Sequence, residues 1–212
     1  MNARLGSLML LLTLAALPAE KLMATEQVPY QVEQVLGDQA EIRRYDSVIV
    51  AETIVDGGDF RDAGNAGFRR LANYIFGGNQ DRQKIAMTAP VAMAADGSPY
   101  PDAADAISSR PEGDGRWRMS FYMPADSSMA SLPRPDDPRV ELRSIAPRRV
   151  AAIRFSGRGT EVQFAKAESK LRQQLETAGI ATAGDPWTAR YNAPWVLPPF
   201  RRNEVLIELA PK

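Results

Sequence analysis

Neither histidine nor cysteine occurs anywhere in the 212 residues. Without imidazole the chain has no Ser-His-Asp triad and no His-ligated zinc. Without a thiol it has no cysteine nucleophile, no cysteine-bound metal cluster and no disulfide. Acid-base work would fall to Asp, Glu, Lys and Tyr, and for a haem iron only Tyr and Met remain as side-chain ligands. An excess of either charge is also missing: 26 basic residues face 26 acidic ones. The basic residues are scattered, which argues against a nucleic-acid footprint. The carboxylates Glu41, Asp46, Glu52, Asp56 and Glu204 show no acid-base spacing, and Gly77-Gly78-Asn79 lacks the spacing and lysine of a phosphate loop. The residues therefore read as a non-enzyme.

What is present is a core-forming chain, 44% hydrophobic, broken by 16 Pro and 15 Gly. That suits one turn-rich domain. The one long apolar run is Leu5–Ala19 behind Arg4. It has the length of a secretory h-region and falls short of a comfortable membrane span. Residues 1–24 are expected to be a signal peptide or an uncleaved membrane anchor. On that expectation residues 25–212 are an exported domain, periplasmic or tethered, which touches the membrane only through the leader if that is retained. A monomer is expected.

Strand patterns cover Gln31–Val35 and Glu41–Thr53. A helix follows from Asp59, its N-cap, with Phe60, Gly64, Gly67, Phe68, Leu71, Tyr74 and Ile75 on one face and Gly77-Gly78 as its stop. Lys84–Ala94 and Arg116–Met123 read as strands around a polar insertion, Ala95–Gly115, that is too long for a hairpin turn. Val140–Ile145 and Arg149–Phe155 then repeat the strand pair. Thr160–Ala178 repeats the helix, with a capping box at Thr160 and Gln163 and an inner face of Phe164, Ala167, Leu171, Leu175 and Ala178. Asp185–Tyr191 and Asn203–Leu209 close the chain. The expected fold is α+β with a pseudo-twofold repeat of β-β-α-β-β units, two sheets carrying one helix each and a cleft at the seam.

Within this frame Met87 and Met93 are candidates to meet a flat apolar ligand. Arg69, Arg70, Lys84 and Arg201-Arg202 are candidate carboxylate anchors. The apolar, proline-broken run Tyr191–Phe200 is expected to cover either core or cleft.

Seven segments in order resemble the SOUL haem-binding protein family: Glu41-Ile42-Arg43-Arg44-Tyr45, Leu71 to Asn79 (LANYIFGGN), Lys84 to Val91 (KIAMTAPV), Met119 to Pro124 (MSFYMP), Phe155-Ser156-Gly157, Tyr191-Asn192-Ala193-Pro194 and Arg202-Asn203-Glu204-Val205. The resemblance implies a distorted β-barrel of two four-stranded antiparallel sheets flanked by two helices. It also implies binding of haem or a related tetrapyrrole in a shallow apolar cleft beside the first helix, with cations at the propionates. Some members use a histidine there as axial ligand and others bind without one. Carried onto this chain, the ligand-binding set is Phe68, Leu71, Ala72, Ile75 and Met87 as the apolar face and Arg69, Arg70, Lys84 and Arg201 as anchors. Stacking removes apolar area worth about 25 cal/mol per Å² before association costs, so binding in the micromolar range needs no iron bond. The alternative is an effector-binding or scaffold module for another hydrophobic small molecule or a partner peptide.

Overall fold

A computed structural model describes residues 25–57, 59–95 and 115–211. The leader 1–24 lies outside them, as do residues 96–114 of the expected insertion Ala95–Gly115. Strands β1 (Glu26–Gln27), β2 (Gln31–Leu36), β3 (Ala40–Tyr45) and β4 (Val48–Val55) lead into α1 (Phe60–Ile75). Strands β5 (Thr88–Ala89), β6 (Val91–Ala95), β7 (Trp117–Tyr122), β8 (Glu141–Ile145) and β9 (Arg148–Phe155) lead into α2 (Glu161–Thr177), and β10 (Trp187–Arg190) and β11 (Asn203–Glu208) finish the chain.

Both helices start where the side chains dictate. Asp59 accepts from the backbone N–H groups of Arg61 and Asp62, and Thr160 and Gln163 close a capping box. The ends are one to three residues tighter than the sequence suggests, and Ala178, expected on the inner face of α2, is its exposed C-cap. The single strand expected over 41–53 is two, parted at Asp46-Ser47, and the one over 84–94 is cut to its second half by Pro90, whose peptide bond is cis. Proline offers no N–H to a ladder, so a strand cannot run through it.

Nine strands form one sheet in the order β2-β3-β9-β11-β10-β6-β7-β4-β8, with every pairing antiparallel. The two separate four-stranded sheets are therefore not found. The pairing of β6 with β10 (Val91 with Arg190, Met93 with Thr188) joins them into one. Nor does the sheet close, since β2 and β8 stand at its two ends.

Register sorts the faces. Ala51, Phe121, Val91, Arg190, Asn203 and Phe155 lie side by side on one face. Two residues along, Thr53, Met119, Met93, Thr188, Val205 and Ile153 form the next row of that face. Both helices pack here, α1 over β4 and β7, α2 over β9 and β11. Helix α1 sits close because Gly67 brings its backbone against Met119 and Val55, and Gly64 brings it against Met93. The other face carries a second apolar cluster around Tyr45, Tyr122, Val150, Trp187 and Leu206. Neither described helix contributes to it; Val28, Tyr30, Val48 and Tyr191 pack against it instead.

Candidate functional site

Helix α1 crosses the sheet diagonally. Its first residue, Phe60, meets Trp117 edge to ring at 5.3 Å, and two turns later Phe68 meets Phe121, at the other end of β7, also at 5.3 Å. Its second half thus lies over the sheet end marked by the row Phe121, Val91 and Arg190. The inner face there is Leu71, Tyr74 and Ile75, each no more than 1% exposed. The outer face one position on is Phe68, Ala72 and Phe76, at the i, i+4, i+8 spacing of one stripe. Phe68 remains 39% exposed and Phe76 61%.

After α1 the chain turns back under the control of Asn79, whose buried side-chain amide donates to the Tyr74 and Gln83 carbonyls. It then runs through Lys84 and Met87 to Thr88, whose hydroxyl donates to the Tyr122 carbonyl. Met87 is thereby held one residue from the strand on which Phe68 stacks, and it is 38% exposed. Phe68, Phe76 and Met87 are exposed apolar side chains on α1 and the segment that follows it, and Arg69 and Lys84 are exposed cations of the same two stretches.

The other expected site residues are committed elsewhere. Leu71 and Ile75 belong to the core between helix and sheet and present nothing to a ligand stacked on the helix. Met93 is likewise 2% exposed beneath Gly64. Arg70 donates to Thr53 Oγ1 and to the Ile54 carbonyl, and its Nε lies 3.9 Å from Asp137, so it clamps α1 to the sheet. Asp137 is pulled down to about 2, chiefly by the hydrogen bond from Arg139. Arg201 donates to the carbonyls of Pro194 and Val196 and holds the loop in which it lies. The run 191–200 does not lie down on the core: Trp195, Leu197 and Phe200 are 84%, 64% and 75% exposed.

The comparisons with known proteins agree with the family signature. The family model described as SOUL heme-binding protein matches residues 25–208. This chain belongs to the SOUL heme-binding protein family. Heme-binding protein 2 of Homo sapiens is 30% identical over 172 residues, covering 78% of this chain and 75% of that one, and its Mus musculus counterpart is 28% identical over the same span. Among solved structures, the EcmrR C-terminal domain superposes with a TM-score of 0.58 at 11% identity over 86% of this chain and 99% of that one. A hydrolase from Listeria innocua superposes with a TM-score of 0.51 at 10% identity over 81% and 92%. At such identities these two structures establish the fold alone.

In this SOUL-family chain two open hollows, of about 390 and 300 Å³, lie away from α1. The first is bounded by residues 26–29, 46–49 and 123–129. The second is bounded by Tyr30, Glu41, Arg43, Arg154 and Arg202 and backs onto a network that sequence reasoning missed. Glu204, wholly buried on the helix-free face, accepts from both terminal nitrogens of Arg43 at 2.7 and 3.0 Å, from Arg202 at 2.9 Å and from the Tyr191 hydroxyl at 2.8 Å. Burial alone would raise the Glu204 carboxyl, but these bonds and charges win and hold it below its usual range. Arg43 is held up by the same carboxylate against its own burial, while burial pushes the Tyr45 and Tyr191 phenols up. The network satisfies the Glu204 carboxylate from four donors and so locks β3, β10 and β11 together. Its only sequence signal was the pairing of two segments, 41–45 and 202–205, each rich in charge where a strand would bury it.

Proposed function

We propose that this protein holds haem or a related tetrapyrrole on the outer face of α1, without histidine or cysteine at the iron. The observation that carries the reading is the exposure of Phe68, Phe76 and Met87, with half-buried Ala72 between the two rings along α1, in a chain whose relatives are named for haem binding. An apolar face bordered by cations fits a ring that is flat and apolar with carboxylates at one edge. Phe68, Phe76 and Met87 would take the ring. Arg69 and Lys84, exposed and without a carboxylate partner among the described residues, would take the propionates. Arg70 contributes indirectly, by fixing α1, while Arg201 is spent within its own loop and takes no part. The surface is shallow, so binding is reversible and no catalysis is proposed. The bound haem's redox chemistry would be its own, with these residues only orienting it. If the leader is removed or inserted as its sequence suggests, the site works outside the cytoplasm.

Double substitution of Phe68 and Phe76 by Ala tests the surface. Each ring forfeits about 1–2 kcal/mol of contact area, so together they weaken haem binding by about two orders of magnitude in a Soret titration. Unchanged affinity in the folded double variant rejects this placement, and a thermal shift from some other hydrophobic compound with no Soret change would point to a different ligand class.

A further inference from the structure

The loop 191–202 is the part of the molecule that the ligand reading does not use. Its side chains Trp195, Leu197 and Phe200 point outward, and Val162, on the first turn of α2, is 79% exposed. Pro198 accepts from the Gly157 N–H, which seats the loop over the entry to α2 and so beside Val162. The loop is stiff for its length. Arg201 ties down the carbonyls of Pro194 and Val196, Arg202 N–H donates to Asn192, and Pro198-Pro199 open a short 3-10 turn. No acid occurs between residues 191 and 203. Arg158 is exposed at the base of the loop and Arg201 is half-buried, while Glu161 is an exposed acid beyond it. Arg190 and Arg201 are near enough that the charge of Arg201 adds to burial in lowering the Arg190 guanidinium.

A protein partner would meet this feature with a groove, but the loop is convex: Trp195, Leu197 and Phe200 stand out from the surface, and none of the three lines either of the two hollows described above. A fluid lipid surface accommodates a convex apolar tip, takes Trp at its headgroup level, and attracts cations at its rim when anionic lipid is present. The path of the chain supports the same occupant. Arg202 donates to Gln27 at 3.0 Å and to the Tyr30 hydroxyl at 3.3 Å, so the start of the described chain is fastened to the base of this loop. The apolar run Leu5–Ala19 precedes that point by a few residues.

We infer that the 191–202 loop is a lipid-docking surface, inserting Trp195, Leu197 and Phe200 at the interface of a membrane containing anionic lipid. The inference holds whether or not the α1 face binds haem, and its failure leaves that reading untouched.

The absence of cysteine supplies the test. Leu197→Cys gives the full chain a single thiol for a nitroxide, and Thr177→Cys, at the opposite end of α2 about 25 Å from its start, gives the control. Each labelled chain is mixed with vesicles of phosphatidylcholine and phosphatidylglycerol. The expected result is a several-fold preference of the position-197 label for oxygen dissolved in lipid over a water-soluble nickel chelate, with the reverse at position 177. Adding Trp195→Ser and Phe200→Ser abolishes that preference, even where the N-terminal segment still holds the chain on the vesicle. A position-197 label as open to the chelate as position 177, one shielded from both reagents as in a protein contact, or a preference that survives the two serines overturns the inference.

Discussion

At the scale of single residues, the most consequential side chain is Glu204. Its carboxylate is removed from water and compensated by Arg43 and Arg202, so deleting the charge strands a buried guanidinium. Glu204→Gln is expected to cost about 3–5 kcal/mol, which in a chain of this size lowers Tm by about 10 °C or more. The sign of the pH effect follows from the depressed carboxyl. A carboxyl held low in the folded state stabilises fully above its unfolded value, about 4.3, and that stability is lost as pH falls toward the folded value. The wild type should therefore lose stability more steeply than Glu204→Gln as pH falls below about 4. Acid titrations followed by circular dichroism check it, and parallel limbs for the two proteins would contradict it.

At the scale of elements, α1 has a core face and, on the proposed reading, a ligand face, and substitution separates the two. Leu71→Ala, on the core face, is expected to destabilise by about 2–5 kcal/mol, whereas Phe76→Ala, on the outer face, should change stability by less than about 0.5 kcal/mol and act on ligand affinity instead. The glycines discriminate in the same way. A Cβ on Gly64 would rest 3.6 Å from the Met93 sulfur, so Gly64→Ala should gain up to about 1 kcal/mol from helix propensity. A Cβ on Gly67 would lie 3.1 Å from Met119 Cβ, and Gly67→Val should cost about 1–3 kcal/mol. Urea midpoints measure all four.

Helices were the legible part of this sequence, because a cap is a local event: Asp59, Thr160 and Gln163 announce their roles within three residues. Strand breaks at Asp46 and Pro90 were less so, since alternation survives a kink. Which side of α1 is free to meet a ligand was harder still. Leu71 and Ile75 look, letter by letter, as suitable for a porphyrin as Phe68 does, and only the packing of the helix on Met119 and Val55 assigns them to the core. Phe76 stayed out of the expected ligand-binding set because it is the helix cap, beyond the periodic run, although it sits at i+8 from Phe68.

For the whole molecule, the pairing of β6 with β10 decides the architecture. A two-sheet barrel follows naturally from two similar halves, but four residues of β10 bridge β6 to β11 and leave one open sheet with both helices on one face. That arrangement puts the outer face of α1 and the 191–202 loop at the same end of the sheet. It leaves the helix-free face to ion networks, Glu204 with Arg43 and Arg202, and Glu52 with Arg118 and Arg143. On the proposed reading, a molecule built this way would meet a tetrapyrrole with surface and charge. Nothing in it offers iron a customary bond.

Parallel titrations of the protein with haem and with iron-free protoporphyrin IX test that claim most directly, the first followed by the Soret band and the second by porphyrin fluorescence. The two dissociation constants are expected to agree within a few-fold, in the micromolar range, since apolar contact and propionate pairing are common to both ligands. Haem binding tighter than the porphyrin by two orders of magnitude or more would contradict the account, because that difference would have to come from a side-chain bond to iron.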